Sequence, residues 1–197
     1  MIGVVGGGQL AMLLVEAGKK RDVDVVVQTA AKTDPAAKKT KLIVLNDPTN
    51  AEGTKLLAEK TCSITFENEW VDIPSLLCLQ NDGVSFIPRL QSICPLINKI
   101  TQRELLNSLD IPCPDWLPIP LEKLSKIDLP SDWTFPLMAK AAKGGYDGKG
   151  TKIIKNSKQL HEFIGFETAE QWMLEKWIPF EKELSIVSSR DSKGIVR

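Results

Sequence analysis

Over its first ninety or so residues the chain alternates short β-branched runs with stretches of helical apolar spacing, an order that few folds accommodate. Ile2–Val5, Val23–Val27, Leu42–Leu45, Ser63–Phe66 and Ser85–Ile87 are the strand candidates. Between them, Leu10–Lys20, Ala51–Lys60 and Ile73–Leu79 place apolar residues three and four apart, the period of a helix packed on one side. Asn50, just before Ala51, is suited to cap the second of these helices. Strand and helix in alternation predict a parallel sheet with crossover helices, an α/β unit.

Beyond residue 95 the texture changes. A helical stretch, Leu96–Leu109, ends at Asp110, and Pro112, Pro114, Pro118 and Pro120 then put four prolines into nine residues. Residues before proline resist the helical region, so this segment reads as a linker or extended crossover. A smaller α+β unit is expected after it, with short strands, an amphipathic helix over Ser157–Phe163 and a glycine-rich loop. That loop, Lys143-Gly144-Gly145-Tyr146-Asp147-Gly148-Lys149-Gly150-Thr151, lies between the strand candidates Phe135–Ala139 and Lys152–Ile154. Four glycines in seven positions free the backbone to present N–H groups, and Lys143 and Lys149 supply charge for an anion. A P-loop would be followed by a helix and by Ser or Thr directly after Gly-Lys. Here Gly150 follows Gly148-Lys149 and a strand comes next, so a hairpin flap over phosphate fits better; a mobile hairpin tip without ligand is the plainer alternative. At the end, Leu184–Ser189 reads as a strand, residues 190–194 as a turn and Ile195–Arg197 as the start of another strand, so the fold is expected to continue past Arg197.

Gly6-Gly7-Gly8-Gln9-Leu10-Ala11 follows a strand and opens a helix, the setting in which G-x-G-x-x-A binds a dinucleotide. The acidic residue that would hold the ribose at the end of the second strand is missing, because Val27 runs into Gln28-Thr29. A monophosphate ligand at the helix N-terminus and a purely structural turn therefore stand beside the dinucleotide reading. Glu67 and Glu69 follow the fourth strand, where such sheets face their ligands, so that one carboxylate reaches a ligand hydroxyl or amine, or the two cap or precede the helix near Asp72. His161, the only histidine, lies on a polar helix face with no triad partner.

The 197 residues allow one or two domains, and 43% hydrophobic with 25% charged residues provides a core and excludes disorder. Twenty-five basic residues against 25 acidic ones leave no net charge for nucleic acid or an acidic membrane surface, so any anion site must be local. Cys62, Cys78, Cys94 and Cys113 lie far apart without a C-x-x-C pair, which leaves no zinc pattern. Neither a signal peptide nor an apolar run of membrane-spanning length is read from the sequence, and the cytoplasm is the expected setting.

Taken together, Gly6-Gly7-Gly8-Gln9-Leu10, Thr65-Phe66-Glu67-Asn68-Glu69 and Gly144-Gly145-Tyr146-Asp147-Gly148-Lys149-Gly150 resemble one family, the 5-(carboxyamino)imidazole ribonucleotide synthases of purine biosynthesis, which are ATP-grasp enzymes. The run from Leu174-Glu175-Lys176-Trp177-Ile178 to Glu183-Leu184-Ser185 carries the likeness further, and it extends over essentially the whole chain. The resemblance implies a pre-ATP-grasp, Rossmann-like parallel-sheet domain over residues 1–95, a helix and Pro-rich linker over 96–120, and an ATP-grasp lid with the start of a truncated C-terminal domain over 121–197. The rest of that C-terminal ATP-grasp domain would be missing. It further implies ATP, Mg²⁺ and bicarbonate, carboxylation of 5-aminoimidazole ribonucleotide through carboxyphosphate, and a homodimer in the complete protein.

Carried over by position, the resemblance puts Gly145, Tyr146, Asp147, Gly148, Lys149, Gly150 and Thr151 over the ATP phosphates, with Lys140 below and Lys99 where the family usually has Arg. Glu175, Lys176, Trp177 and Ile178 would follow the adenine edge and Glu183 would accept from the ribose. The ribonucleotide substrate would lie near Gly8, Gln9 and Leu10 with Glu67 or Glu69, and Tyr146 and Asp147 would stand by the reacting centre. In the family the metal ligands come from the C-terminal domain, so no residue of this chain is assigned to metal and little synthase activity is expected of it alone. A nucleotide-binding remnant without turnover remains the competing reading.

Overall fold

A computed structural model describes residues 1–119, 127–144, 150–166, 171–191 and 193–196, apart from the side chains of residues 165 and 166. The first strands are β1 (Ile2–Val5), β2 (Val25–Thr29), β3 (Ile43–Leu45) and β4 (Ser63–Phe66), all parallel in the order β3-β2-β1-β4. Their alternation divides the apolar residues between two faces. Val5, Val26, Val44 and Ile64 meet Leu57 of α2 (Ala51–Ala58) and Ile73, Leu76 and Leu79 of α3 (Ile73–Asn81). On the other face, Val4, Val25 and Val27 pack on Ala11 and Val15 of α1 (Gln9–Lys19). Asn50 caps α2 as expected, its side chain accepting from the Glu52 N–H at 3.0 Å.

Some elements differ from the sequence expectation. The second strand begins at Val25, two residues later than its composition indicates, because Asp22 takes φ +54° and the Val23 N–H bonds Gly18 O at 3.0 Å to close the end of α1. Ser85–Ile87 forms only an isolated bridge, Phe86 beside Ile64, since Pro88 has no N–H with which to extend a ladder. Of the stretch Leu96–Leu109 only Lys99–Ser108 is α-helix, α5; Leu96 instead ends a 3₁₀ turn at Cys94–Leu96 that follows a short helix, α4 (Leu90–Ile93). Asn98 restarts the helix by accepting from the Ile100 N–H at 2.8 Å.

The second sheet is antiparallel, with β5 (Trp116–Ile119), β6 (Leu137–Ala141), β7 (Thr151–Ile154) and β8 (Trp172–Lys176) in the order β5-β8-β6-β7. Residues 116–119, expected in the linker, are thus an edge strand, a position that tolerates Pro118. Leu137, Ala139, Ala141, Ile154, Trp172 and Leu174 face α6 (Ser157–Phe166) and bury Leu160, Phe163 and Ile164. The opposite face of β6 and β8 therefore carries Lys140, Met173 and Glu175 and turns toward α5, where Ile100 packs with Met173 and Ala142. Leu184–Ser189 is not a strand: Leu184, Ile186 and Val187 are almost fully exposed, and among the described residues this end forms only an Arg190–Val196 bridge. A strand requires a neighbour, and none of the described residues provides one.

Candidate nucleotide site

The polar face of the second sheet gathers charge around one buried carboxylate. Glu175, with its side chain 3% exposed, sits on the inner strand β8 one residue before its end. Its Oε1 accepts from Arg103 Nε at 2.7 Å and lies 2.5 Å from Arg103 Nη2, while Oε2 lies 2.5 Å from Lys140 Nζ. Lys140 is opposite Met173 in the register, so its pairing with Glu175 is a diagonal one across β6 and β8. Arg103 arrives from α5, one turn after Lys99. The Lys99 N–H donates to Ala142 O at 2.7 Å, and its Nζ donates to Gly144 O at 2.9 Å, which fixes the start of α5 against the entry to the glycine loop.

Burial pushes the Lys99 pKa down; Glu69 and Glu175 oppose the shift and Lys140 reinforces it. Lys99 is therefore within electrostatic range of both carboxylates as well as the second lysine. Gly144 and Gly150, at either end of the loop, take φ +68° and +73°, and the Ala141 N–H closes the hairpin on Gly150 O at 2.8 Å. Thr151 opens β7 opposite Lys140. Gly145, Tyr146, Asp147, Gly148 and Lys149 lie outside the described residues.

After β8 the chain leaves the sheet. Lys176 is held by Asp115 at 2.8 Å and Asp132 at 2.5 Å, which raise its pKa, and Trp177 and Ile178 are exposed beyond it. Glu183 is exposed on the segment that follows. Lys99, Lys140, Glu175 and the ends of the glycine loop are thus brought together, and Glu183 has no described contact with them.

At the first sheet, Glu67 does not cap the helix near Asp72. Its backbone N–H continues from β4 to Val5 O, and its carboxylate reaches back across the sheet to the start of α1, accepting from Gly8 N–H at 2.7 Å, Leu10 N–H at 3.1 Å and Ala11 N–H at 3.4 Å. The positive end of α1 is thereby already neutralised by a carboxylate, and a phosphate on the same N–H groups would have to displace it. Gly6, at φ +122°, leaves room for this reach, since a Cβ there would lie 2.5 Å from Glu67 Cβ. Glu67→Ala is expected to lower stability by about 1–2 kcal/mol, the value of a lost charged cap, as read by urea unfolding. No change would show that water satisfies these N–H groups equally well.

The dinucleotide reading finds no opening at the end of β2. Gln28 is fully buried, accepts from Thr54 Oγ1 at 2.9 Å and donates to Asp47 O at 2.8 Å and Asn50 O at 3.1 Å. Thr29 Oγ1 donates to Asp34. The two residues standing where a ribose-binding acid was sought instead tie β2 to its neighbouring loops.

The cationic pair and the loop ends fit a phosphate chain. Among the described residues no group of three or more His, Cys, Asp or Glu gathers as a metal site. No helix of the described residues is long and apolar enough to cross a membrane. Arg103 was not singled out by its sequence; the available signal was its position four residues after Lys99, which puts both on one face of α5.

Comparison with known proteins shows what these two sheets are similar to. Residues 1–95 match the ribonucleotide synthetase preATP-grasp domain and residues 104–197 the ATP-grasp domain. The chain is 39% identical over 193 residues to an N5-carboxyaminoimidazole ribonucleotide synthase from Synechocystis, an alignment covering 98% of this chain and 48% of that one. It superposes on the N5-carboxyaminoimidazole ribonucleotide synthetase of Thermotoga maritima with a TM-score of 0.78 at 28% identity, covering 99% of this chain and 51% of that one. The Aspergillus clavatus synthase, solved with ADP and 5-aminoimidazole ribonucleotide, gives 0.78 at 26% identity, covering 91% of this chain and 47% of that one. The chain spans about half the length of the relatives it matches.

Proposed function

We infer that the chain belongs to the N5-carboxyaminoimidazole ribonucleotide synthase family of ATP-grasp proteins and has an ATP-binding role on the path to N5-carboxyaminoimidazole ribonucleotide. The observation that supports this reading is the placing of Lys99 on Gly144 O at the entry of the glycine loop and of Lys140, opposite Thr151 at its exit, on a buried carboxylate. In the proposed reaction, bicarbonate oxygen attacks the γ-phosphorus of ATP, ADP leaves, and carboxyphosphate forms. The amine of 5-aminoimidazole ribonucleotide then attacks the carboxyl carbon; inorganic phosphate leaves and the amine gives up a proton.

The residues divide this work by chemistry. Lys140 and Lys99 offset phosphate charge, and the N–H groups of Gly145, Gly148, Gly150 and their neighbours Tyr146, Asp147, Lys149 and Thr151 cover it. Backbone groups at Glu175–Ile178 read the adenine edge, Trp177 and Ile178 give it apolar contact, and Glu183 accepts from the ribose. The ribonucleotide lies near Gly8, Gln9 and Leu10, where Glu67 and Glu69 are acceptors for its N–H or O–H groups rather than partners for its phosphate. Tyr146 and Asp147 orient the reacting amine. Mg²⁺, when bound, neutralises the phosphates. The reading includes a cytoplasmic homodimer, and exposed Leu10, Leu13 and Leu14 on α1 support a face covered by another subunit or domain.

The test is ADP release from this chain with Mg-ATP and bicarbonate, with and without 5-aminoimidazole ribonucleotide, alongside calorimetric titration with ATP. Release that depends on the ribonucleotide supports the synthase. Binding of ATP without such release reduces the chain to a nucleotide-binding module, the second reading. Failure to bind ATP overturns both.

A further inference from the structure

We propose that Arg103 is a positioning residue for nucleotide binding: its guanidinium fork fixes Glu175 and leaves the Arg103–Glu175–Lys140 triad with one net positive charge for the phosphates. The inference rests on the ATP-binding reading above. Glu175 is almost fully buried, whereas the Lys140 and Arg103 side chains are 27% and 18% exposed, so the cations form the open side of the cluster. With Lys140 alone, the carboxylate and ammonium would be a closed neutral pair, and an incoming phosphate would compete with Glu175 for the lysine at no net electrostatic gain. Arg103 changes that balance. Two of its N–H groups are spent on Oε1, in a geometry only a guanidinium supplies, so Glu175 stays compensated when Lys140 turns toward an anion.

The position of Arg103 also separates this role from strand pairing. It comes from α5, anchored by Ile100 against Met173 and Ala142, and contributes nothing to the β6–β8 ladder that holds Lys140 and Glu175 in register. Lys99, one turn earlier on the same helix, is tied to the loop by its bond to Gly144 O. One helix face thus delivers a cation to the loop and a second to the carboxylate.

Charge compensation provides the test. By calorimetric titration of the full chain, Arg103→Ala is expected to weaken ATP binding roughly tenfold, the loss of one partly desolvated charge interaction, with adenosine affinity unchanged. Adding Glu175→Gln to Arg103→Ala restores the net positive charge and is expected to recover most of the loss, which a purely structural role for Arg103 would not produce. Arg103→Lys keeps charge without the fork and is expected to bind ATP more weakly than the parent but more tightly than Arg103→Ala; if the alanine variant does not fold, Arg103→Gln against Arg103→Lys makes the same comparison. Parental ATP affinity in Arg103→Ala, or no recovery in the double variant, overturns the proposal while leaving ATP binding intact. A parent chain that binds no ATP overturns the reading beneath it.

Discussion

A Glu175→Ala variant is expected to unfold about 3 kcal/mol more easily than the parent, near the lower end for breaking a buried ion pair. The carboxylate lies between Arg103 and Lys140 on the inner strand of the second sheet, and its removal leaves two cations facing each other with nothing between them. Both cations keep some access to water, which places the loss at the lower end rather than beyond it. For a chain of this size each kcal/mol moves the melting temperature by about 2–4 °C, so a fall of about 6–12 °C is expected. Two further variants separate charge from packing. Glu175→Gln keeps acceptor geometry and should lose less, and replacing all three charged residues by apolar ones of similar volume should come close to parental stability. A Glu175→Ala melt within 2 °C of the parent would show that the cations are as well satisfied by water as by the carboxylate.

Much of the first sheet was legible because its signals are local. β1, β4 and α1 have continuous apolar runs or clean helical spacing, and Asn50 caps α2 where its residue type indicated. The misplacements come from contacts that no local pattern encodes. Val23 has the composition of a strand but is taken by Gly18 at the end of α1, and Trp116–Ile119 pairs with residues some 55 positions away in spite of its prolines. The same limit governs the site. The glycine loop could be named from residue type and order, and Lys99 and Lys140 only through the family resemblance, whereas the reach of Glu67 to the start of α1 crosses 59 positions and the Arg103–Glu175 bond 72. Each joins elements that become neighbours only when the chain has folded. The alternation of Leu137–Ala141 shows that Lys140 shares a face with Met138, but only the register with β8 shows that Glu175 lies on that face too.

Lys140→Ala should leave the fold nearly intact and weaken ATP binding by about ten- to over a hundredfold, a charge-assisted bond to phosphate being worth about 1.5–3 kcal/mol. The contrast with Glu175→Ala follows from what remains. Without Lys140 the carboxylate keeps both bonds from Arg103, so no buried charge is stranded and melting should change little. Binding is another matter, because the triad then becomes a neutral pair, with Lys99 still bonded to Gly144 O at the loop entry. Lys99 contributes from the loop entry, where its ammonium donates to Gly144 O, and not from the β6–β8 face that Lys140 leaves, so it does not replace the lost contact. Calorimetry with ATP and with adenosine distinguishes the phosphate contact from the base contact. A loss confined to ATP locates the lysine at the phosphates, equal losses for both ligands would place it at the adenine edge, and an unchanged dissociation constant for ATP would remove Lys140 from the site.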